Sequence, residues 1–258
     1  CEVFPCRLIE EKDIWKLIFT PSDDRSRWIC AVDLSAGKII TPLFNGSMWK
    51  AANDQLLLET SGRYQLCDLN GSLTDVSIPH TGHVLAVDDQ GYVLCQYPVT
   101  RTVRTDSGTM PYTFHQYTLL GPDFTVLLDG IDQYYNVGQY DYSCDSELFY
   151  NGLVAVRVGA TDWYLPDGGP WPRLYFNSKY MFIDRSGKTV SSSRYDEVSH
   201  ENDRWFGCHG TTEYLLDSNG NEREQANYCY VPSTWSENIV EQAEKDGLRL
   251  SYHTPYRL

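Results

Sequence analysis

The chain has 258 residues, 41% hydrophobic and 22% charged, a balance that suits a globular protein with a substantial core rather than a disordered one. No apolar run approaches the roughly 18 residues that a membrane-spanning helix needs. A net charge of −14 repels nucleic-acid phosphates and anionic lipid over most of the surface, so nucleic acid is set aside as a partner.

Cys1 opens the chain and reads in two ways, as the lipidated first residue of a bacterial lipoprotein or as an arbitrary boundary. Lipidation there is the one route to a membrane tether that the sequence offers. Seven more cysteines follow at 6, 30, 67, 95, 144, 208 and 229, and no two are spaced as C-x-x-C. Zinc-ribbon and thioredoxin patterns are therefore absent. The even, scattered count predicts disulfides in an oxidising, extracytoplasmic compartment, with Cys1–Cys6 and Cys208–Cys229 the pairs nearest in sequence. Free buried thiols are the alternative.

Hairpins then succeed one another. "WICAVDLSAGKIITP" turns at Asp33, "YQLCDLNGSLTDV" at Asp68, "VLAVDDQGYVL" at Asp88, "YTLLGPDFTVL" near Asp123, "YMFIDRSGKTV" at Asp184 and "EYLLDSNGNE" at Asp217. In each the aspartate can bond its own turn backbone, and in most a glycine supplies positive φ. Asp33 and Asp68 lie 35 residues apart, Asp184 and Asp217 33 apart, so the spacing is that of a repeat. "GLVAVRV" (152–158) is a further strand in its unit, apolar at nearly every other position with Arg157 on the opposite face.

"TRTVRT" (100–105) reads as a strand with a polar face, and the "NGS" tripeptides at Asn45 and Asn70 read first as turns. "PHTGH" sets His80 and His83 three apart around a turn but shows no third or fourth metal ligand, and "DSNGNERE" (217–224) carries its glycine at the fourth place, where a calcium loop needs it at the sixth. No metal and no cofactor is expected. "STWSENIVEQAEKDG" (233–247), with a Ser cap and a Gly stop, predicts one short C-terminal helix covering the end of the array.

"NGLVAVRV", "YMFIDRSGKTV" and "RYDEV", in that order between 151 and 198, together with "WICAVDLSAGKIITPLF", resemble the WG-repeat (KWG) proteins of bacteria, although the second residue of the naming Trp-Gly pair is missing here, Met181 and Phe182 following Tyr180. The resemblance covers about half of the chain. It implies a repeat-built β domain, often exported or at the cell surface, with no common catalytic residues. At a period near 35, the chain holds roughly seven units. The expected fold is thus all-β over 1–258, a β-propeller of about six or seven small blades, with an open stack of the same repeats as the alternative.

The inserted loop "TDWYLPDGGPWPRLYF" (161–176) breaks the pattern and is the expected binding site: Trp163, Tyr164, Trp171 and Tyr175 as aromatic anchors, with Asp162, Asp167 and Arg173 as polar contacts. The bland reading is that the loop folds back and buries its tryptophans. Three functions follow: a non-enzymatic extracytoplasmic module recognising a protein or glycan, a carbohydrate-active hydrolase using paired carboxylates, or an architectural spacer. For the hydrolase the available pairs are Asp141 with Asp145, Asp162 with Asp167, and Asp196 with Glu197, although close pairs arise by chance among 35 acidic residues. No Gly-x-Ser-x-Gly elbow accompanies the six histidines.

Overall fold

A computed structural model of the chain describes residues 2–20, 28–135, 148–166, 175–201, 203–210, 212–225, 228–230 and 249–251. The architecture is all-β, as the hairpin series predicts. The first sheet holds Glu2–Ile9, Ile14–Thr20, Trp28–Asp33 and Lys38–Ile39 in that order, with Phe44–Asn45 also paired to Trp28–Asp33. The second holds Ser47–Lys50, Leu56–Thr60, Arg63–Cys67 and Leu73–Val76; the fourth holds Glu197–Glu201, Arg204–His209, Thr212–Leu216 and Glu222–Gln225. A short parallel pair, Tyr228–Tyr230 with Arg249–Ser251, ends the described chain, and the expected helix at 233–247 lies outside the described residues.

The third sheet departs from one small sheet per unit. Its eight strands run in the order Tyr175–Phe176, Trp163–Tyr164, Val93–Thr105, Gly108–Leu120, Val126–Tyr134, Leu153–Val158 and Tyr180–Asp184, with His83–Val87 also on Val93–Thr105. Pairing of Val126–Tyr134 with Leu153–Val158, Ile131 opposite Val158, fuses what the repeat pattern reads as two units. The fusion satisfies two backbone edges that would otherwise stay open.

The same turn recurs at Asp68, Asp88, Asp184 and Asp217. At Asp217, Oδ1 accepts the backbone N–H groups of Asn219 and Asn221 at 2.8 and 3.0 Å, while the Asp217 N–H donates to the Asn221 carbonyl and the Gly220 N–H to the Asp217 carbonyl. Equivalent bonds form at Asp68 with Asn70, Gly71 and Ser72, at Asp88 with Gln90, Gly91 and Tyr92, and at Asp184 with Ser186, Gly187 and Lys188. The "DSNGNERE" carboxylate is thereby committed to its own turn. These bonds hold the Asp184 carboxyl below its usual range, its Ser186 hydroxyl contact being the main cause. In the copy at Gly121–Thr125, Phe124 takes the positive-φ place that glycine fills elsewhere.

Each turn also touches the unit before it. An added Cβ at Gly91 would meet Ala52, at Gly187 would meet Leu127, and at Gly220 would meet the Phe182 ring. Turn chemistry and stacking are thus served by one residue. Buried side chains follow the same succession. One cluster joins the first and second sheets (Ile14, Ile29, Met48, Leu56), one the second and third (Leu57, Tyr64, Val93, Leu120), and one the third and fourth (Phe182, Tyr195, Val198, Trp205). A further cluster packs within the third sheet around Phe149, Ile131 and Ile183. Burial of side chains of this size contributes about 1.5–3 kcal/mol each. None of the sheets closes on itself, and among the described residues no cluster joins the first sheet to the fourth.

An ion pair links the buried carboxylate at the Asp88 turn to Arg185, which lies beside the Asp184 turn and keeps 28% of its side-chain surface exposed. Asp88 uses Oδ1 for its turn, leaving Oδ2 without a hydrogen bond among the described residues and 3.7 Å from Arg185 Nη1. The Arg185 guanidinium lies 5.4 Å from the Tyr92 ring centroid and 5.1 Å from that of Phe149. Burial raises the Asp88 carboxyl above its ordinary range, with the Tyr92 N–H and Arg185 opposing the rise.

The cysteines correct the disulfide expectation. Cys30, Cys67, Cys95 and Cys208 are not disulfide-bonded, the first three being buried, whereas Cys6 is disulfide-bonded to a residue whose side chain lies outside the described set. The proposed Cys208–Cys229 staple is therefore absent. These thiols serve as small core side chains. Burial pushes the Cys95 thiol up to about 12, so a thiol-reactive dye is expected to label the part-exposed Cys208 in the native protein and Cys95 only after unfolding. Equal labelling rates for the two, read by mass spectrometry, would contradict this packing.

Candidate binding surface on the projecting arm

Val93–Thr105 and Gly108–Leu120 pair over their whole length, from Val93 opposite Leu120 to Thr105 opposite Gly108. Burial is concentrated in their proximal halves, and of the distal half, here called the arm, Val103 alone among the described residues is buried. Strand alternation assigns its faces. Tyr97, Val99, Arg101 and Val103 share one face with Gln116, Phe114, Tyr112 and Met110, while Thr100, Thr102 and Arg104 share the other with Thr113, Pro111 and Thr109. "TRTVRT" is thus a strand, but its two arginines point to opposite sides.

The inserted loop docks along this arm. Tyr164 pairs in parallel with Arg104, the Leu165 N–H donates to the Arg104 carbonyl at 2.8 Å, and Trp163–Tyr164 pairs in turn with Tyr175–Phe176. Asn177 Oδ1 accepts the N–H groups of Thr161 and Asp162, closing the loop base. The anchor beneath is Asp132, buried, which takes Gln116 Nε2 at 2.7 Å on one oxygen and the Ala160 N–H at 2.8 Å on the other.

Of the seven expected residues, three have described side chains. Asp162 makes a two-point contact with Arg104, at 2.8 Å from Nε and 2.5 Å from Nη2; this contact is the main cause of an Asp162 carboxyl held below its usual range. Tyr164 donates its hydroxyl to Asp106 and lies under the Arg104 guanidinium, 5.8 Å from it. Both therefore fasten the loop to the arm. Trp163 faces the other way, half-buried, with Phe114 at 6.1 Å between centroids and the Arg101 guanidinium 5.8 Å over its ring. Its indole N–H is buried and finds no acceptor among the described residues. Tyr175 is placed by its backbone alone, and Asp167, Trp171 and Arg173 lie outside the described residues.

The Trp163 face continues toward the body of the sheet. Tyr97 stacks on His80 with centroids 4.3 Å apart, and Asp129 receives Thr118 Oγ1 at 2.6 Å, His80 Nε2 at 2.8 Å and the Tyr97 hydroxyl at 3.2 Å. Partial burial raises the Asp129 carboxyl, but the Thr118 and His80 contacts outweigh it and the net direction is down. The two histidines of "PHTGH" thus diverge, since His83 Nδ1 stands 4.0 Å from Glu59 instead. Among the described residues no three metal-ligating side chains gather.

Sequence reasoning found Trp163 and missed its neighbours. Arg101 and Phe114 sit 13 residues apart on two strands, and only the hairpin register, which has its tip at Asp106 and Ser107, brings them together. Carboxylates considered for hydrolysis are engaged elsewhere: Asp196 accepts the Gly210 N–H and sits 3.0 Å from Lys179, Glu197 lies 3.2 Å from Arg157, and Asp141 and Asp145 are outside the described residues. Comparison of the sequence with family models and with curated proteins finds no match to either.

Proposed function

We propose that the chain is an extracytoplasmic, non-enzymatic binding module built from WG-type repeats, and that it recognises a protein or glycan through the aromatic and cationic face of the arm and its docked loop. The observation that carries this reading is the grouping of Arg101, Phe114 and Trp163 on one face of the long hairpin, beside its partly exposed distal half. Flat rings beside a guanidinium are rigid anchors that lose little freedom on binding. The Asp162–Arg104 contact preorganises them. A radial, propeller-like arrangement of six or seven blades is our reading of the array, supported by the recurrent Asp-Gly turn and by stacking of each unit on its predecessor. The Cys6 disulfide supports an oxidising compartment.

The test compares wild type with a Trp163→Ala, Trp171→Ala double variant and with Arg101→Ala on a glycan array and against immobilised candidate proteins, after matching their unfolding midpoints. We expect ligand captured by wild type to be lost by the double variant and weakened about tenfold or more by Arg101→Ala. Equal capture by all three would assign the arm to packing and favour the spacer.

A further inference from the structure

The loop covers one edge of the arm and leaves the other open. On the Val93–Thr105 side, Tyr164 pairs with Arg104. On the Gly108–Leu120 side, Val126–Tyr134 pairs only between Tyr117 and Leu120, so the distal half of that strand has no further strand beside it among the described residues. We infer that this edge is a dimerisation surface and that its partner is the same edge of a second copy of the chain.

The ladder fixes where each backbone group points. In an antiparallel pair, successive residues aim both N–H and C=O alternately at the partner strand and away from it. The Arg104 carbonyl accepts the Leu165 N–H on the loop side, so Arg104 and Thr109 opposite it both point away from the hairpin. Alternation gives Pro111, Thr113 and His115 the same direction, and Tyr117, next in the series, is the residue that meets Ile131. Pro111 fits this phase, since it has no N–H to give inward. Its carbonyl, and both backbone groups of Thr109, Thr113 and His115, therefore line an exposed edge.

Charge normally blunts such an edge. Glu197–Glu201 and Glu222–Gln225, the outer strands of the fourth sheet, each carry two glutamates. The segment "GTMPYTFH" (108–115) has no Asp, Glu, Lys or Arg in a chain of net charge −14, so two copies can meet along it without like charges opposed. Met110 is 44% exposed there, and Tyr112 and Phe114 are half-buried on the same face.

One antiparallel register uses every outward residue. With the two-fold axis at Tyr112, Thr109 meets His115 of the second copy and Pro111 meets its Thr113. Each Thr109–His115 pair closes two hydrogen bonds and each Pro111–Thr113 pair one, about six in all. A slip of two residues one way sets Pro111 against Pro111 with no donor between them. The opposite slip sets Thr109 against Tyr117, which Ile131 already holds. In the favoured register Tyr112 packs on its own counterpart and Met110 on Phe114, as cross-strand neighbours do. The axis stands perpendicular to the sheet, so both Trp163 faces come to lie on one side of it.

Sedimentation equilibrium of the full chain from about 10 μM to about 1 mM tests the surface, since a contact of this extent belongs to the weak end of specific interfaces. We expect a monomer–dimer equilibrium in that range. Thr113→Pro, which removes an outward donor and leaves the hairpin ladder whole, is expected to weaken dimerisation about tenfold or more. Pro111→Thr, which supplies the missing donor in both Pro111–Thr113 pairs, is expected to strengthen it about tenfold. Both positions are exposed, so dilute samples should keep the parent unfolding midpoint. Hydrogen exchange reads the register: on concentration the Thr109, Thr113 and His115 amides gain protection, while Met110, Tyr112 and Phe114, which point into the hairpin, do not change. A monomer at every concentration, a dimer indifferent to both variants, or a dimer whose formation leaves those three amides unprotected would each overturn the assignment.

Discussion

Replacing Gly220 with alanine is expected to lower the unfolding free energy by about 2–4 kcal/mol, against about 1 kcal/mol for the same change at Gly210. Both residues adopt left-handed backbone, at φ +72° and +58°, so both variants bear the conformational cost of a side chain there. They differ in surroundings. A Cβ at Gly220 would stand 2.5 Å from the Phe182 ring, whereas at Gly210 it meets open space. Phe182 is fully buried and also packs edge-on against Trp205 at 5.0 Å, so it has no room to withdraw. Urea titration of the two variants measures the difference. Equal losses would mean that the turn does not press on the preceding unit, and the stacking scheme would fail with it.

Arg185→Ala is expected to destabilise the protein by about 3 kcal/mol at neutral pH, because it leaves the Asp88 carboxylate buried without its counter-charge. The effect has a definite pH signature. Asp88 already has a folded-state value raised by burial above its unfolded one, so the folded protein holds that proton more tightly than the unfolded chain. Its contribution to stability is most favourable below the unfolded value and declines as pH rises through the folded value. Without Arg185 the folded value rises further. The deficit of the variant should therefore be largest at neutral pH and shrink on acidification toward pH about 4. Adding Asp88→Asn should recover most of it, because asparagine keeps an oxygen for the Gln90 and Tyr92 N–H groups. A deficit that stayed constant with pH would assign the loss to the Tyr92 and Phe149 contacts of the guanidinium instead.

Local chemistry was the legible part of this chain. An aspartate followed three residues later by glycine specifies its turn almost unaided, because donors, acceptor and positive φ all lie within five residues. Turns at Asp68, Asp88, Asp184 and Asp217 accordingly form where the sequence places them. Long-range pairing was less legible. Fusion of Val126–Tyr134 with Leu153–Val158 joins strands that belong to different units in the repeat pattern, and nothing in either strand announces its partner. The binding face shows the same division: Trp163 stands out by composition, but Arg101 becomes its neighbour only through the loop crossing to the arm at Arg104. The cysteines misled because an even count is neutral about pairing once a core is large enough to use thiols as filler.

The arm also restricts how its own length can vary. Its two strands stay in register from Val93–Leu120 to Thr105–Gly108 without a bulge, so one residue added to the first strand between the sheet and Arg101 would exchange the faces of everything beyond it on that strand. Arg101 would then turn away from Trp163, and Arg104 away from Asp162. Growth or shortening that preserves both contacts must come in paired steps, two residues on each strand. Any such step also slides the loop's docking point along the arm by nearly 7 Å, about twice the rise of one strand residue. Viable length variants therefore form a discrete ladder, each rung carrying a matching change in the loop that starts after Ala160.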